Sequence, residues 1–175
     1  MKHYLYSDNL ISERIYTKFL SQEDSKSFAE FFENDEATKF IPKFDLKTNI
    51  EKAKFVIEKQ LERYKSNKYG HQGLYLKNTH EFIGICGLLT QLVDEKIEME
   101  IGYHILPKYW GNGYAPEAVK LFIDFATRNK LKDSIISIID LENFKSQRVA
   151  EKNGLINEIT TTYDYEKVYI YRKFI

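Results

Sequence analysis

LPKYWGNGYAPEA, residues 106–118, joins a predicted strand to a predicted helix. The residues before it, 98–105, alternate between polar and apolar side chains as a strand does, and apolar residues after it recur at helical spacing from Ala115 to Ala126. Gly111 and Gly113 can adopt positive φ angles, so a ligand can approach the main chain without meeting a Cβ. Pro116 suits the first helical turn, because its missing N–H would have no helical partner.

A glycine loop that opens a helix presents free backbone N–H groups and the positive end of the helix dipole to an anion. We therefore predict that the main-chain amides of this loop bind a pyrophosphate. The amides concerned are those of Gly111, Asn112, Gly113, Tyr114 and Ala115. The alternative is a glycine-rich turn that binds nothing.

Two common phosphate-binding motifs do not fit this loop. A nucleoside-triphosphate loop requires Lys followed by Ser or Thr after the glycines, and a dinucleotide fingerprint requires a third glycine near the position of Glu117. Residues 110–115 resemble motif A of the GCN5-related N-acetyltransferase (GNAT) family, Gln/Arg-x-x-Gly-x-Gly/Ala, with Trp110 in the place of Gln or Arg. The flanking Glu-Ile-Gly-Tyr and Glu-Ala resemble the ribosomal-protein alanine N-acetyltransferase (RimJ/RimL-like) branch of that family.

The predicted order of elements, β-α-α-β-β-β-α-β-α-β-β, matches this family over nearly the whole chain. The resemblance implies a single α/β (α+β) domain over residues 1–175, with a core from about 12 to 174. It implies a mixed, mostly antiparallel sheet of seven strands, splayed between the fourth and fifth, with about four helices on its two faces. Thr48 and Glu51 form a capping box that predicts a helix to about Tyr64, and residues 134–140 read as an interior strand.

The overall composition suits an ordinary globular protein rather than a nucleic-acid or membrane protein. Lys and Arg together number 26, as do Asp and Glu, so the formal net charge is zero. This balance argues against a scaffold that binds nucleic acid through its phosphates. The single cysteine, Cys86, allows no disulfide within the chain, and Met1–Asp8 lacks the apolar core of a signal peptide. We expect a cytoplasmic protein without a metal site.

Glu100 is the candidate general base. Strand parity places Met99, Ile101, Tyr103 and Ile105 on one face and Glu98, Glu100, Gly102 and His104 on the other. A carboxylate beside a glycine on a partly dry face can have its pKa raised, as a base for an ammonium group requires. The alternative is an exposed or ion-paired glutamate. We expect Glu98 at the surface and a spacer or main-chain role for His104.

The resemblance also implies where an acetyl-CoA donor binds. Main-chain groups of His104, Ile105 and Leu106 would pair with the pantetheine arm in the gap between the splayed strands. The stretch Asn143–Leu155 resembles the family's Asn-x-x-Ser…Glu-Lys-x-Gly segment, so Asn143 and Ser146 would contact the cofactor and act near the thioester. Ala150 stands where many relatives carry a tyrosine acid, which leaves Ser146 or a water as proton donor. Helix capping alone is the alternative for Asn143 and Ser146.

These observations predict an acetyl-CoA-dependent N-acetyltransferase that acts on a primary amine by direct attack in a ternary complex. A protein or peptide N-terminus and a small-molecule amine, such as an aminoglycoside, polyamine or amino acid, both stay open as acceptors. A non-catalytic acyl-CoA-binding protein is the rival from another class. Among further partners, a homodimer stays open.

Overall fold

Seven strands form one sheet in the computed structural model, which describes residues 6–175. They are β1 (Ile15–Lys18), β2 (His71–Leu76), β3 (Phe82–Val93), β4 (Lys96–Ile105), β5 (Ser134–Asp140), β6 (Ile156–Tyr163) and β7 (Glu166–Phe174). Their order across the sheet is β1-β2-β3-β4-β5-β7-β6. Neighbouring strands are antiparallel except β4 and β5, which are parallel. The predicted mixed sheet of seven strands is therefore confirmed.

Five helices lie between these strands in the described part of the chain. They are α1 (Ser25–Phe28), α2 (Asp35–Thr38), α3 (Asn49–Lys65), α4 (Tyr114–Arg128) and α5 (Phe144–Lys152), with 3-10 turns at Gln22–Asp24, Ala29–Glu33 and Pro107–Tyr109. The sequence predicted about four helices; the difference arises because α1 and α2 are single turns of four residues each. Residues 1–5 of the predicted domain lie outside the described range.

Local sequence accounts for the ends of the longer helices. Thr48 accepts a hydrogen bond from the amide of Glu51, and the Glu51 carboxylate accepts one from the amide of Thr48, which completes the predicted capping box of α3. Gly113 precedes α4 with φ of 80°, and Gly154 follows α5 with φ of 76°. Both conformations favour glycine, because a Cβ is strained there.

The two faces of the sheet carry separate cores. On the first face, α4 and α5 pack on a cluster that includes Met99, Ile101 and Ile105 of β4. On the second face, α1, α3 and the turns around them pack aromatic side chains, with Phe28 almost completely buried. The alternation predicted for β4 is therefore correct for its apolar residues, and Glu100 and His104 point to the second face.

The prediction that Glu98 lies at the surface is wrong. Glu98 is buried because its carboxylate accepts hydrogen bonds from both terminal nitrogens of Arg172 on β7, at 2.9 and 3.2 Å. Burying a carboxylate costs less free energy when it is paired with a cation and hydrogen-bonded than when it has no partner.

Strands β4 and β5 pair at a single position, Glu100 with Ile136. The next link between them is a side-chain bond, in which the Ser137 hydroxyl donates to the Ile101 carbonyl at 3.3 Å. Beyond this point no residue of β4 pairs with a residue of β5 in the described chain, so the strands diverge toward their carboxyl ends. The predicted splay between the fourth and fifth strands is confirmed.

Replacing Thr48 by Ala should lower the free energy of unfolding by about 1 kcal/mol, because it removes the hydroxyl that accepts from the Glu51 amide at the start of α3. Urea denaturation measures the change. Thr48→Ser keeps the hydroxyl and is the matched control, so equal losses in both variants would contradict the capping role.

Candidate functional site

The glycine loop before α4 has free amides. Gly111 and Gly113 have φ of 78° and 80°, and a Cβ at Gly111 would meet nothing within 4 Å. No acceptor among the described residues takes a hydrogen bond from the amides of residues 111–115. Residue 116 is a proline, and the next amide, that of Glu117, donates to the Gly113 carbonyl. The geometry therefore leaves the predicted pyrophosphate amides available.

Arg14 fixes the shape of this loop from β1's amino-terminal side. Its guanidinium donates to the Asn112 carbonyl at 2.9 Å, pairs with the Glu117 carboxylate at 2.7 Å and lies over the Tyr114 ring, 4.6 Å from its centroid. Glu117 also accepts bonds from the Ser12 hydroxyl and the Arg14 amide, and these bonds outweigh burial and lower its pKa. Sequence reasoning missed Arg14, because its contacts join residues about a hundred positions apart.

The Trp110 side chain is hydrogen-bonded to one of the main-chain groups at the end of β4 that lies beside the gap. Its indole N–H donates to the Ile105 carbonyl at 2.7 Å. The Leu106 amide donates to the Ile83 carbonyl, and His104 pairs with Ile85 on β3. Because groups on a strand alternate between its two neighbours, the groups that face the gap are those of Tyr103 and the Ile105 amide. Of the three residues predicted to bind pantetheine, only Ile105 thus presents a group to the gap.

Glu100 lies where β4 and β5 separate. Its carboxylate accepts a hydrogen bond from the Gln91 side chain on β3 at 2.7 Å and another from the Ile138 amide on β5. Burial raises the pKa of Glu100, although these two bonds and the charge of Arg63 oppose the rise. Tyr163 of β6 faces the same carboxylate: burial and then the Glu100 charge raise the pKa of its phenol. A buried carboxyl group whose pKa is raised is a candidate proton acceptor.

Two histidines lie on the same face as Glu100. The His104 ring contacts the rings of Phe31 and His71, with centroids 5.3 and 5.6 Å apart. Burial lowers the pKa of His104 to about 4, and burial together with the charges of His104 and Arg63 lowers the pKa of His71 well below its usual value. Both rings are therefore neutral at pH 7.

Asn143 and Ser146 lie at the start of α5, on the other side of the gap from β4. The Asn143 side chain accepts from the Ser146 amide at 3.1 Å, so it caps the helix as expected. The Tyr103 hydroxyl crosses from β4 and donates to the Ser146 carbonyl at 3.2 Å. Burial raises the pKa of Tyr103. The sequence placed Tyr103 in the core by parity and gave no sign of this contact. The proposed contacts of Asn143 and Ser146 with a ligand stay predictions.

Two ion pairs join α2 and its C-terminal neighbour Lys39 to the segment around the start of α5. Glu36 pairs with Lys145 at 2.7 Å, and Lys39 pairs with Glu142 at 3.0 Å. Lys145 also lies over the Trp110 ring, 4.1 Å from its centroid. These contacts connect the elements on the two sides of the gap.

Four aromatic residues that could line an acceptor pocket, Phe40, Phe44, Tyr163 and Tyr165, do not lie together. Tyr163 lies near Glu100, Phe44 packs against Phe32, and Tyr165 is 97% exposed in the β6–β7 turn. Phe40 is partly buried, and the exposed Lys39 lies over its ring. Within residues 6–175, no three His, Cys, Asp or Glu side chains gather as a metal site would require, and no helix has the length and apolar character needed to cross a membrane.

Comparison with known proteins identifies the family. Residues 14–156 match the acetyltransferase (GNAT) domain. The chain belongs to the GNAT family. The loop, the divergent strands and α5 described above all lie within the residues that match this domain.

Named relatives and solved structures agree with this assignment. YkkB of Bacillus subtilis (strain 168) is 40% identical over 79 residues, 45% of this chain and 46% of that protein, so the match spans about half of it. The N-acetyltransferase p20 of Bacillus licheniformis is 26% identical over 91% of this chain and 88% of its own.

Two solved structures share the GNAT fold. The first is a ribosomal-protein-serine acetyltransferase of Vibrio cholerae, described as putative, with a TM-score of 0.79, 16% identity and coverage of 95% of this chain and 97% of that chain. The second is RimL, a ribosomal L7/L12 alpha-N-protein acetyltransferase in complex with coenzyme A, with a TM-score of 0.74, 13% identity and coverage of 97% and 98%.

Acidification should destabilise the GNAT domain through its buried histidines. The unfolded chain protonates His71 and His104 near pH ~6.5, whereas the folded chain keeps them neutral, so stability present above that pH is lost as the pH falls. Each histidine contributes up to about 1.4 kcal/mol per pH unit. Glu100 has the opposite sign, because its raised pKa makes its contribution fall as the pH rises through that pKa.

Urea denaturation at pH 7, 6 and 5 measures this slope. His104→Phe should remove its share of the slope, and His80→Asn in the exposed β2–β3 turn is the matched control. A slope that His104→Phe leaves unchanged would contradict the assignment.

Proposed function

We propose that this protein transfers the acetyl group of acetyl-CoA to a primary amine, with a protein or peptide N-terminus as the favoured acceptor. The observation that carries the proposal is the position of Glu100. Its carboxyl group lies at the point where β4 and β5 separate, burial raises its pKa, and the neighbouring main-chain groups of β4 have no strand partner. Acylation of an amine requires a group that accepts the proton of the ammonium. A thioester arm that binds like an added strand also requires a free strand edge, and Glu100 lies beside one.

The donor side is supported by two sets of amides. The amides of residues 111–115 suit a pyrophosphate, and the main-chain groups of Tyr103 and Ile105 suit the amides of a pantetheine arm lying along β4. The coenzyme A bound to the RimL structure supports the choice of ligand. Acetyl-CoA supplies the activated acetyl group, and this chain's residues bind and orient it.

The acceptor side is supported by Glu100 as base. An ammonium group is not a nucleophile, so a neighbouring carboxylate must remove a proton before the amine attacks the carbonyl carbon. Ser146, or a water that it holds, is proposed to protonate the departing thiolate, and Asn143 to orient the donor. The buried Ala150 offers no phenol for that role.

The choice of acceptor rests on the fold neighbours that act on ribosomal proteins. A small-molecule amine is the second candidate, since none of the aromatic and charged residues described above distinguishes a peptide N-terminus from a small amine. A cytoplasmic location and a homodimer stay predictions.

A thiol-release assay with acetyl-CoA tests the proposal. The acceptors are synthetic peptides beginning with Ala or Ser, spermidine, an aminoglycoside and free amino acids. Amine-dependent release of coenzyme A, with the acetylated product identified by mass spectrometry, is expected. Binding of acetyl-CoA without release for any acceptor would support the non-catalytic alternative instead.

Gly113→Val should weaken coenzyme A binding at least about tenfold, because a β-branched residue is strained at φ of 80° and its side chain reduces the approach to the amides. Isothermal titration calorimetry measures the Kd. Gly154→Val places the same strain at φ of 76° after α5 and is the matched control. Equal affinity for the two variants would count against the amide site.

Glu100→Gln should lower kcat about 100-fold and remove the dependence of kcat/KM on the ionisation of this carboxyl group. The pH–rate profile with the best acceptor measures both effects. Glu95→Gln, in the exposed β3–β4 turn, is the control for loss of charge. An unaltered profile in Glu100→Gln would exclude this residue as the base.

A further inference from the structure

The Trp110 side chain lies at the wide end of the gap between β4 and β5. These strands diverge toward their carboxyl ends, so the gap is widest beside Ile105, the last residue of β4. Main-chain groups along a strand point alternately to its two sides, and the Leu106 amide goes to Ile83 on β3. The Ile105 carbonyl therefore faces the gap, where the Trp110 indole N–H donates to it at 2.7 Å.

Lys145 of α5 reaches the same ring from the other side of the gap. Its ammonium lies 4.1 Å from the centroid of the Trp110 ring and is paired with the Glu36 carboxylate at 2.7 Å. A cation over the face of an aromatic ring is attracted by the electrons of that face, and Trp attracts cations more strongly than Tyr or Phe. Trp110 and Lys145 together therefore join β4 to α5 across the wide end of the gap.

Other contacts hold the two sides of the gap together without Trp110. The Tyr103 hydroxyl donates to the Ser146 carbonyl of α5 at 3.2 Å, and the Ser137 hydroxyl of β5 donates to the Ile101 carbonyl at 3.3 Å. Both contacts lie nearer than Trp110 to the point where the strands separate. A movement of the Trp110 ring would therefore change access to the edge of β4 without changing the spacing of the strands.

The main chain of Trp110 is fixed, whereas its side chain is only partly buried. The Trp110 amide donates to the Pro107 carbonyl at 3.0 Å, and the Trp110 carbonyl accepts from the Asn112 side chain at 3.1 Å. The ring itself is held by packing, by the bond to Ile105 and by the contact with Lys145. It can therefore turn about its own side-chain bonds while the amides of the glycine loop keep their positions.

The indole uses a main-chain acceptor that a pantetheine arm needs. An arm that binds like an added strand bonds to the gap-facing groups of β4, which belong to Tyr103 and Ile105. The Ile105 amide has no partner among the described residues, but the Ile105 carbonyl accepts from Trp110. A carbonyl oxygen has two lone pairs, yet the indole ring occupies the space beside this one. The ring and an arm that extends to Ile105 therefore compete for the same part of the edge.

We propose that Trp110 is a gate for the donor: its indole N–H holds the Ile105 carbonyl until an amide N–H of the pantetheine arm replaces it, and the ring then turns away from the edge of β4. This inference rests on the proposed function, since it takes acetyl-CoA as the donor. One N–H···O bond replaces another, so opening the gate gives up only the packing of the ring and its contact with Lys145.

The indole N–H of Trp110 reports on the gate directly, because the chain contains a single tryptophan. A nitrogen–proton correlation spectrum of the isotope-labelled wild-type protein therefore contains one indole signal. Coenzyme A and pantetheine, which both carry the arm, should move this signal upfield in the proton dimension, because the bond to the Ile105 carbonyl is lost. ADP, which carries a pyrophosphate and no arm, should leave the signal in place.

Two results of this measurement would overturn the gate. An indole signal that keeps its position at saturating coenzyme A would mean that the ring stays on the Ile105 carbonyl while the donor is bound. A signal that ADP moves as far as coenzyme A does would mean that the arm is not what displaces the ring. The measurement uses the unchanged chain, so the proposal stays testable if a Trp110 variant does not fold.

Trp110→Phe is the decisive variant, because it keeps an aromatic ring and removes the N–H. The Kd of coenzyme A, measured by isothermal titration calorimetry, should fall about threefold or more, because binding no longer has to displace a hydrogen bond. Tyr109→Phe removes a hydroxyl from the neighbouring ring and is the matched control, with an unchanged Kd expected. A Kd for Trp110→Phe equal to or above that of the wild type would overturn the gate, because the indole would then support the site.

The two proposals fail in different ways. A wild-type protein that binds no coenzyme A would overturn both. Coenzyme A binding with an unmoved indole signal would overturn the gate and leave the proposed acetyl transfer standing. A moved indole signal without acetylation of any acceptor would support the gate and overturn the acetyl transfer.

Discussion

The single parallel pair between β4 and β5 is the constraint on which the site depends. In the described chain, these two strands pair only at Glu100 and Ile136. Beyond this pair, the hydrogen bonds between the strands involve side chains. The Ser137 hydroxyl bonds to the Ile101 carbonyl, and the Glu100 carboxylate takes the Ile138 amide. A parallel ladder would need the Ile101 carbonyl and the Ile138 amide to bond to each other, but both are already bonded to side chains. The Glu100 carboxylate thus helps to end the strand pairing, and it lies at the opening that results.

Much of this arrangement follows from local sequence. The capping residues Thr48 and Asn143 and the glycines Gly113 and Gly154 act within a few positions of themselves, so their helices begin and end as the sequence predicted. Strand β5 has the predicted bounds because its apolar run is continuous. The family resemblance added the splay, which no local pattern indicates.

The remaining features depend on which strands become neighbours. Glu98 is buried because β7 brings Arg172 to it, and the His71 ring lies against β4 because Gly102 has no side chain there. The alternation of polar and apolar residues along one strand does not indicate the register of that strand with another that is distant in sequence. The same limit applies to Trp110, whose bond to Ile105 removes a carbonyl that the resemblance had assigned to a ligand.

The two ion pairs between the α2 region and the start of α5 have a consequence for orientation. Glu36 and Lys39 are three residues apart, as are Glu142 and Lys145, and the pairs form in antiparallel sense. If either segment were reversed, the two carboxylates would face each other and so would the two ammonium groups. The order of the charges therefore favours one relative direction of the two segments, even though each exposed pair adds little to stability.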